Sequence, residues 1–279
     1  MDSSVFALVL LSALLHAGWN IVLKVKGDRL LVMTLIANGA SLIALTMLPF
    51  VPVPPLDAWR YLAISIALQC GYHIFLIQAY RYGDLGQVYP IARGAAPVFV
   101  LLPAVLIAGD RLTAMSAAAV LVIAAGIASL ALHKGALHAG HRPVFYALGT
   151  AAFIAAYTVV DGLGARETGS PHAYTLWLFA VNGLPLAAMS LLWHGRRTFS
   201  FVRDNWPVGL AGGAMSLGAY WLVVWALSIA PMAQVAALRE TSVVFAALLA
   251  TVFLKERLGP SRIAASCVVA GGILMLRWA

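Results

Sequence analysis

The chain has 279 residues, of which 62% are apolar and only 10% charged, and its mean hydropathy is +0.92. A soluble domain carries roughly 25% charged residues, so a water-exposed globule is excluded and lipid must solvate much of the surface. The formal net charge of +8 does not point to nucleic acid, because the cations sit in short loops between apolar runs, the pattern of a polytopic membrane protein.

A spanning helix needs about 20 mostly apolar residues. Read from loop to loop, the chain predicts ten: 4–24, 30–50, 58–80, 85–108, 114–132, 143–164, 172–193, 206–228, 232–254 and 261–278. The separators hold helix breakers, among them Lys26-Gly27-Asp28, Pro52 to Pro55, Gly109-Asp110-Arg111, Gly169-Ser170-Pro171 and Gly259-Pro260. Met1 to Ser4 lacks the basic region of a signal peptide, so the first run is expected to be a retained membrane helix. The fold class is therefore an all-α membrane protein with a first half over 1–135, a cytoplasmic connecting loop over 136–142 and a second half over 143–279.

Polar residues inside spans are costly and usually face a cavity or a partner. The helical period shows which share a face. Span one carries Ser12, His16, Asn20 and Lys24 at intervals of four, with Trp19 beside them. Span three presents Gln69, His73 and Tyr80, and span four Tyr89, Arg93 and Pro97. Span six groups Thr150, Tyr157, Thr158 and Asp161; span eight groups Trp221, Trp225 and Ser228. Span nine carries Gln234 and Thr241, with Arg239 and Glu240 alongside. Spans five and ten hold mainly small residues and are expected to pack peripherally or to form a homodimer contact. A cavity lined by spans one, three, four, six, eight and nine follows. Tyr89, Tyr157, Trp221 and Trp225 would be its aromatic walls, and Trp59, Trp193, Trp206 and Trp278 an interfacial belt.

Arg93 lies too deep in its span for easy snorkelling. Two readings stand: an anchor for a substrate carboxylate or phosphonate, or a structural ion pair with Glu240 or Asp161. Arg239 and Glu240 are neighbours about 100° apart on a helix, so they are not expected to pair with each other. Glu240 is the first candidate for a coupling proton and Asp161 the second, because a carboxylate in low dielectric can bind and release protons near neutral pH. His16 and His73 titrate in the right range, or serve as hydrogen-bonded packing residues. Pro90, Gly94 to Pro97 and Gly183 to Pro185 are expected to kink or break their spans.

No Gly-rich phosphate loop, His-Glu-x-x-His motif or metal-spaced Cys/His cluster appears, so neither ATP, a metal nor another cofactor is expected. His133, His138 and His141 read as a solvated loop, and Cys70 and Cys267 as packing groups. Twelve of the 18 Lys and Arg residues fall in the loops after odd-numbered spans. The positive-inside rule puts that side in the cytoplasm and both termini outside the plasma (inner) membrane.

The halves resemble each other. RGAAPVF at 93–99 aligns with RETSVVF at 239–245; the same offset of 146 pairs Asp110-Arg111-Leu112 with Glu256-Arg257-Leu258, and Gly126 with Gly272. With a one-residue slip, Gln87-Val88 matches Gln234-Val235 and Gly71 matches Gly218. Five spans per copy is an odd number, so the second copy enters from the opposite side, an inverted repeat that places a substrate site between the halves.

Two five-helix halves, each ending in an acid-Arg-Leu turn and a small-residue helix with late glycines, resemble the drug/metabolite transporter superfamily, in its ten-helix EamA type. Asp110 stands where that family usually has Glu. His16-Ala17-Gly18-Trp19-Asn20 with Tyr89-Pro90-Ile91-Ala92-Arg93-Gly94 also resembles a subgroup associated with phosphonate utilisation. The resemblance implies not an enzyme but a secondary transporter of a small metabolite, commonly an exporter of amino acids or related solutes. A proton-coupled exporter of an organic anion or zwitterion is the leading expectation. A lipophilic-cation exporter, a membrane-embedded enzyme using Asp161, Glu240 and His73, and a passive channel are the competing ones.

Overall fold

The computed structural model describes residues 1–25, 28–83, 85–132, 140–255 and 259–279. The described residues form eleven α-helices: α1 (Ser3–Val25), α2 (Arg29–Met47), α3 (Leu56–Tyr82), α4 (Leu85–Leu106), α5 (Ala114–Leu132), α6 (His141–Thr168), α7 (Pro171–His194), α8 (Arg197–Ile229), α9 (Met232–Arg239), α10 (Ser242–Leu254) and α11 (Pro260–Trp278). Helices are what a bilayer selects, since each satisfies its own backbone groups where no water can. Nine segments, with α9 and the start of α10 taken together, are long and apolar enough to cross a membrane, and Ala114–Leu130 is a shorter apolar helix. The fold is therefore an all-α membrane protein, with helix in each of the ten expected segments and nine of them of spanning length and hydropathy.

Local chemistry sets the ends. Asp28 caps α2 by accepting from the Leu30 and Leu31 amides at 3.0 and 3.3 Å. Gly169 takes a left-handed conformation (φ 64°) after α6. Ser170 then caps α7 with Pro171 in its first turn. Two boundaries differ from expectation. The eighth helix begins at Arg197, not near 206, because Arg203 and Asp204 are tolerated on its exposed end. The ninth span is two helices, parted at Glu240-Thr241. The breaks expected at the prolines do not occur: α4 runs through Pro90, Pro97 and Pro103, and α7 through Pro185. His133, His138 and the Glu256-Arg257-Leu258 turn lie outside the described residues.

The helices pack as a central group flanked by two pairs. At one end α2 and α7 lie together, joined by Thr34, which donates to the Leu186 carbonyl at 3.1 Å, and Ser41, which donates to that of Phe179 at 2.6 Å. At the other end α5 packs on α11, where Gly126 lies against Val269 and Gly272 against Ile123. The small residues of these two helices thus meet within the chain. Between the pairs, α3 packs on α6 and α1 on α8, while α4 packs on α6 and α10 on α1. Exchanging the halves turns each of these contacts into the other. Short α9 sits at the centre with all eight residues buried.

The tightest approach is α2 on α8. A Cβ at Gly213 would lie 2.6 Å from the Gly39 carbonyl carbon and 3.0 Å from the Ile36 oxygen, both backbone atoms. Neither can yield without moving a helix. At Gly218 on the same helix, an added Cβ would meet only the Leu15 side chain, at 3.6 Å. Gly213→Ala is therefore expected to destabilise by about 1–3 kcal/mol or more, whereas Gly218→Ala leaves stability unchanged or raised. Thermal unfolding in detergent would separate them, and equal melting temperatures would show that the two helices do not interlock.

Candidate functional site

The break in the ninth span is made by its own sequence. Thr241 turns its hydroxyl onto the Leu238 carbonyl at 2.7 Å, and the amides of Thr241, Val243 and Val244 bond three residues back, to Leu238, Glu240 and Thr241. This tightened turn points Glu240 inward, fully buried. Opposite it, α4 delivers Arg93, which is 6% exposed. Arg93 Nε lies 2.5 Å from Glu240 Oε2, and its Nη2 donates to Ser242 Oγ at 3.1 Å. Of the two readings of Arg93, the ion pair with Glu240 is present.

Arg239 also reaches Glu240, with Nη2 to Oε1 at 3.4 Å. This corrects the expectation that these neighbours do not pair. The 100° separation holds on a regular helix, and here the helix ends between them. One carboxylate thus serves two buried guanidiniums, and Arg239 Nε has no hydrogen-bond partner among the described residues.

Arg93 also lines two adjoining cavities. The larger, about 560 Å³, runs from Arg29 and Arg262 at the helix ends inward past His16, Trp19, Asn20, Tyr72, Tyr80 and Tyr89. The smaller, about 130 Å³, continues beyond Arg93 between Gln69, His73 and Asn182 on one side and Tyr157 and Tyr220 on the other. In it Asn182 donates to Gln69 Oε1 at 2.7 Å. No Asp or Glu appears among the described residues lining either cavity. The Arg93 guanidinium also lies 5.9 Å from the Tyr89 ring centroid, within cation–π range.

Seven of the expected site residues meet here: His16, Trp19, Asn20, Tyr89 and Arg93 in the larger cavity, and His73 and Tyr157 in the smaller. Arg239 and Glu240 lie behind Arg93, outside both walls. Trp221 and Trp225 are not in the walls either. Tyr220 is the aromatic that α8 contributes, and Trp221, about 100° further round, turns away to donate to His172 at 2.7 Å. Trp225 packs into the apolar core. Tyr220 was within reach of the sequence. The offset of 147 that pairs Gly71 with Gly218 also pairs Gln69 with Ser216 and His73 with Tyr220, and all four side the smaller cavity.

Asp161 is fully buried. It accepts hydrogen bonds from Tyr174 at 2.9 Å and, very closely, from Tyr220, with Ser65 a further side-chain partner. Its hydrogen-bond donors are hydroxyls, in contrast with Glu240, which meets two guanidiniums.

The face opposite the large cavity is closed. Arg166, near the end of α6, donates Nη2 to Asp110 Oδ1 at 3.0 Å and to the Ala230 carbonyl at 3.2 Å. Its Nε reaches the Leu227 carbonyl at 3.1 Å and its Nη1 that of Ala108 at 3.2 Å. Asp110 in turn accepts from the Met232 amide at 2.5 Å. One guanidinium and one carboxylate thereby tie together the α4–α5 turn, the end of α6 and the α8–α9 turn.

Residues 141–278 match the EamA-like transporter family. The second half of this helical membrane protein is thus an EamA-like transporter family domain. A solved protein crystal structure, 17% identical, covers 99% of this chain and 96% of its own length with a TM-score of 0.73, and at that identity it establishes the fold alone. Comparison with curated proteins returned no sequence match. That domain supports a membrane transporter of the drug/metabolite superfamily, and the cavities ending at Arg93 are the candidate substrate path.

Removing Glu240 would leave two guanidiniums facing each other in low dielectric. Breaking such a buried pair from one side costs about 3–5 kcal/mol. Glu240→Gln is therefore expected to lower the melting temperature more than Arg93→Gln, which leaves Glu240 its second partner. The double variant should be more stable than the sum of the two single losses. Strict additivity in the cycle would show that the pair is not energetically coupled.

Proposed function

We propose that this protein carries a small organic anion or zwitterion, such as an amino acid, a carboxylate or a phosphonate, across the membrane by alternating access. The observation that carries this reading is the surplus of cation at the inner end of the cavity. Two arginines share one carboxylate, and Arg93 presents its remaining guanidinium surface to the cavity. A planar cation of this kind binds carboxylate and phosphonate oxygens in pairs. The lipophilic-cation reading is disfavoured, because the described cavity walls carry arginines and no carboxylate.

The exchange of packing partners between the halves supports two inverted five-helix units rocking about the centre. On this reading the large cavity is the cytoplasmic entrance. Arg29 and Arg262 lie on the side that holds most of the Lys and Arg residues, and the termini lie on the other. Arg166 and Asp110 then close the outer face, and their contacts must part when it opens.

Asp161 is the better coupling site, ahead of Glu240. Glu240 is already engaged by two guanidiniums. Asp161 faces Ser65 on α3, Tyr174 on α7 and Tyr220 on α8, with Tyr157 on its own helix and Arg239 on α9 in its field. Binding a proton there changes the sum over Arg93, Arg239, Glu240 and Asp161 from neutral to +1, which favours an anion.

Two outcomes test this. In proteoliposomes, uptake of small carboxylates and phosphonates is expected to saturate and to fall at least tenfold in Arg93→Gln. The variant's melting temperature would be checked first, and unchanged flux in a folded variant would move the site elsewhere. Anion affinity is also expected to rise as pH falls from 8 to 5, for an anion that stays ionised over that range, and to become flat with pH in Asp161→Asn. If the slope survives in Asp161→Asn and disappears in Glu240→Gln instead, the coupling assignment is reversed.

A further inference from the structure

The larger cavity has two kinds of wall. Around Arg93 it is aromatic and polar. On the far side it is mainly aliphatic: Ile127 and Leu130 on α5, Val243 and Ala247 on α10, and Ala265 and Val269 on α11, with the small Ser266 the polar side chain among them. The helix packing leaves this lobe open. α10 lies chiefly against α1, while α11 is drawn onto α5, which leaves a space between α10 and the α5–α11 pair. The break at Glu240 sets the register, because α10 begins at Ser242, the residue bonded to Arg93. Val243 follows it directly, and Ala247 lies about one further turn along.

A cavity of about 560 Å³ falls within the range of sites that enclose drug-sized ligands, and a glycine- or acetate-sized anion leaves most of it empty. Water in the aliphatic lobe would find few hydrogen-bond partners. An apolar group covalently attached to the anion fills it favourably.

We infer that the transported molecule is an amphiphilic anion with an aliphatic tail of several carbons. Its head sits at Arg93 and Ser242, and its tail lies in the lobe between α5, α10 and α11. This rests on the anion reading of Arg93 and adds the half of the substrate that Arg93 does not see. An aliphatic tail is favoured over an aromatic one because the lobe walls are branched and small, whereas the ring-stacking surfaces, Tyr72 and Tyr89, line the other side.

The test is binding of n-alkylphosphonates, from methyl to hexyl, to the protein in lipid nanodiscs, with empty nanodiscs subtracting partition into lipid. Affinity is expected to rise about fourfold per added methylene, the increment for burying one CH₂. Ala247→Leu, which fills the lobe, is expected to weaken hexylphosphonate at least tenfold and leave methylphosphonate unchanged. Ile127→Ala is expected to weaken the long members only. Binding that depends on Arg93 yet is flat with chain length overturns the tail and keeps the anion site. A chain-length gain that Ala247→Leu leaves intact also overturns the lobe. Binding of none of the series, or binding unaffected by Arg93→Gln in a folded variant, overturns the anion reading itself.

Discussion

The structure depends on how a bilayer protein accommodates two arginines at its centre. A guanidinium cannot be left bare in low dielectric, and Arg93 and Arg239 come from helices that meet across the interface between the halves. Glu240 is the one acid of the described residues set between them. It reaches both only because the ninth span stops being helical at that residue. The break, the charge cluster and the inner end of the cavity are therefore a single feature. A continuous helix would have carried Glu240 away from one partner, and the surplus charge facing the cavity would not exist in this form.

The transmembrane architecture was legible from the chain because its signals are strong and local. Apolar runs of spanning length, Gly and Pro between them, and Asp28 or Ser170 at helix starts located a helix for each span, most of them within a few residues, the early start of the eighth at Arg197 apart. The part that failed was the path inside a span. Proline was taken as the breaker, yet α4 contains three prolines and stays whole, while Arg239-Glu240-Thr241-Ser242 has none and parts. Proline removes one donor that neighbours can cover. A buried carboxylate held by two arginines fixes a conformation that no local propensity describes.

The site was legible to the extent that periodicity fixes a face. Spans one and four delivered His16, Asn20, Tyr89 and Arg93 to one cavity, because their polar stripes were isolated in apolar sequence. Span eight carries aromatics on adjacent faces, and the heavier tryptophans drew attention from Tyr220. The alignment of the halves held the missing information: a position opposite His73 is more telling than ring size. Distance from a helix end says little about burial when α7 and α8 each bring a tyrosine over the Asp161 carboxylate.

The closed face shows a division of labour among atoms. Arg166 spends three of its four contacts on main-chain oxygens, at Ala108, Leu227 and Ala230, and Asp110 takes a main-chain amide at Met232. Main-chain acceptors are present whatever residue occupies the position, so those turns are free to drift in sequence without loosening the closure. The two side chains have no such freedom, since every contact ends on one or the other. Because one guanidinium bridges the first-half turn to the second-half turn, its contacts are released together. That face should therefore part in a single cooperative step and not peel open helix by helix.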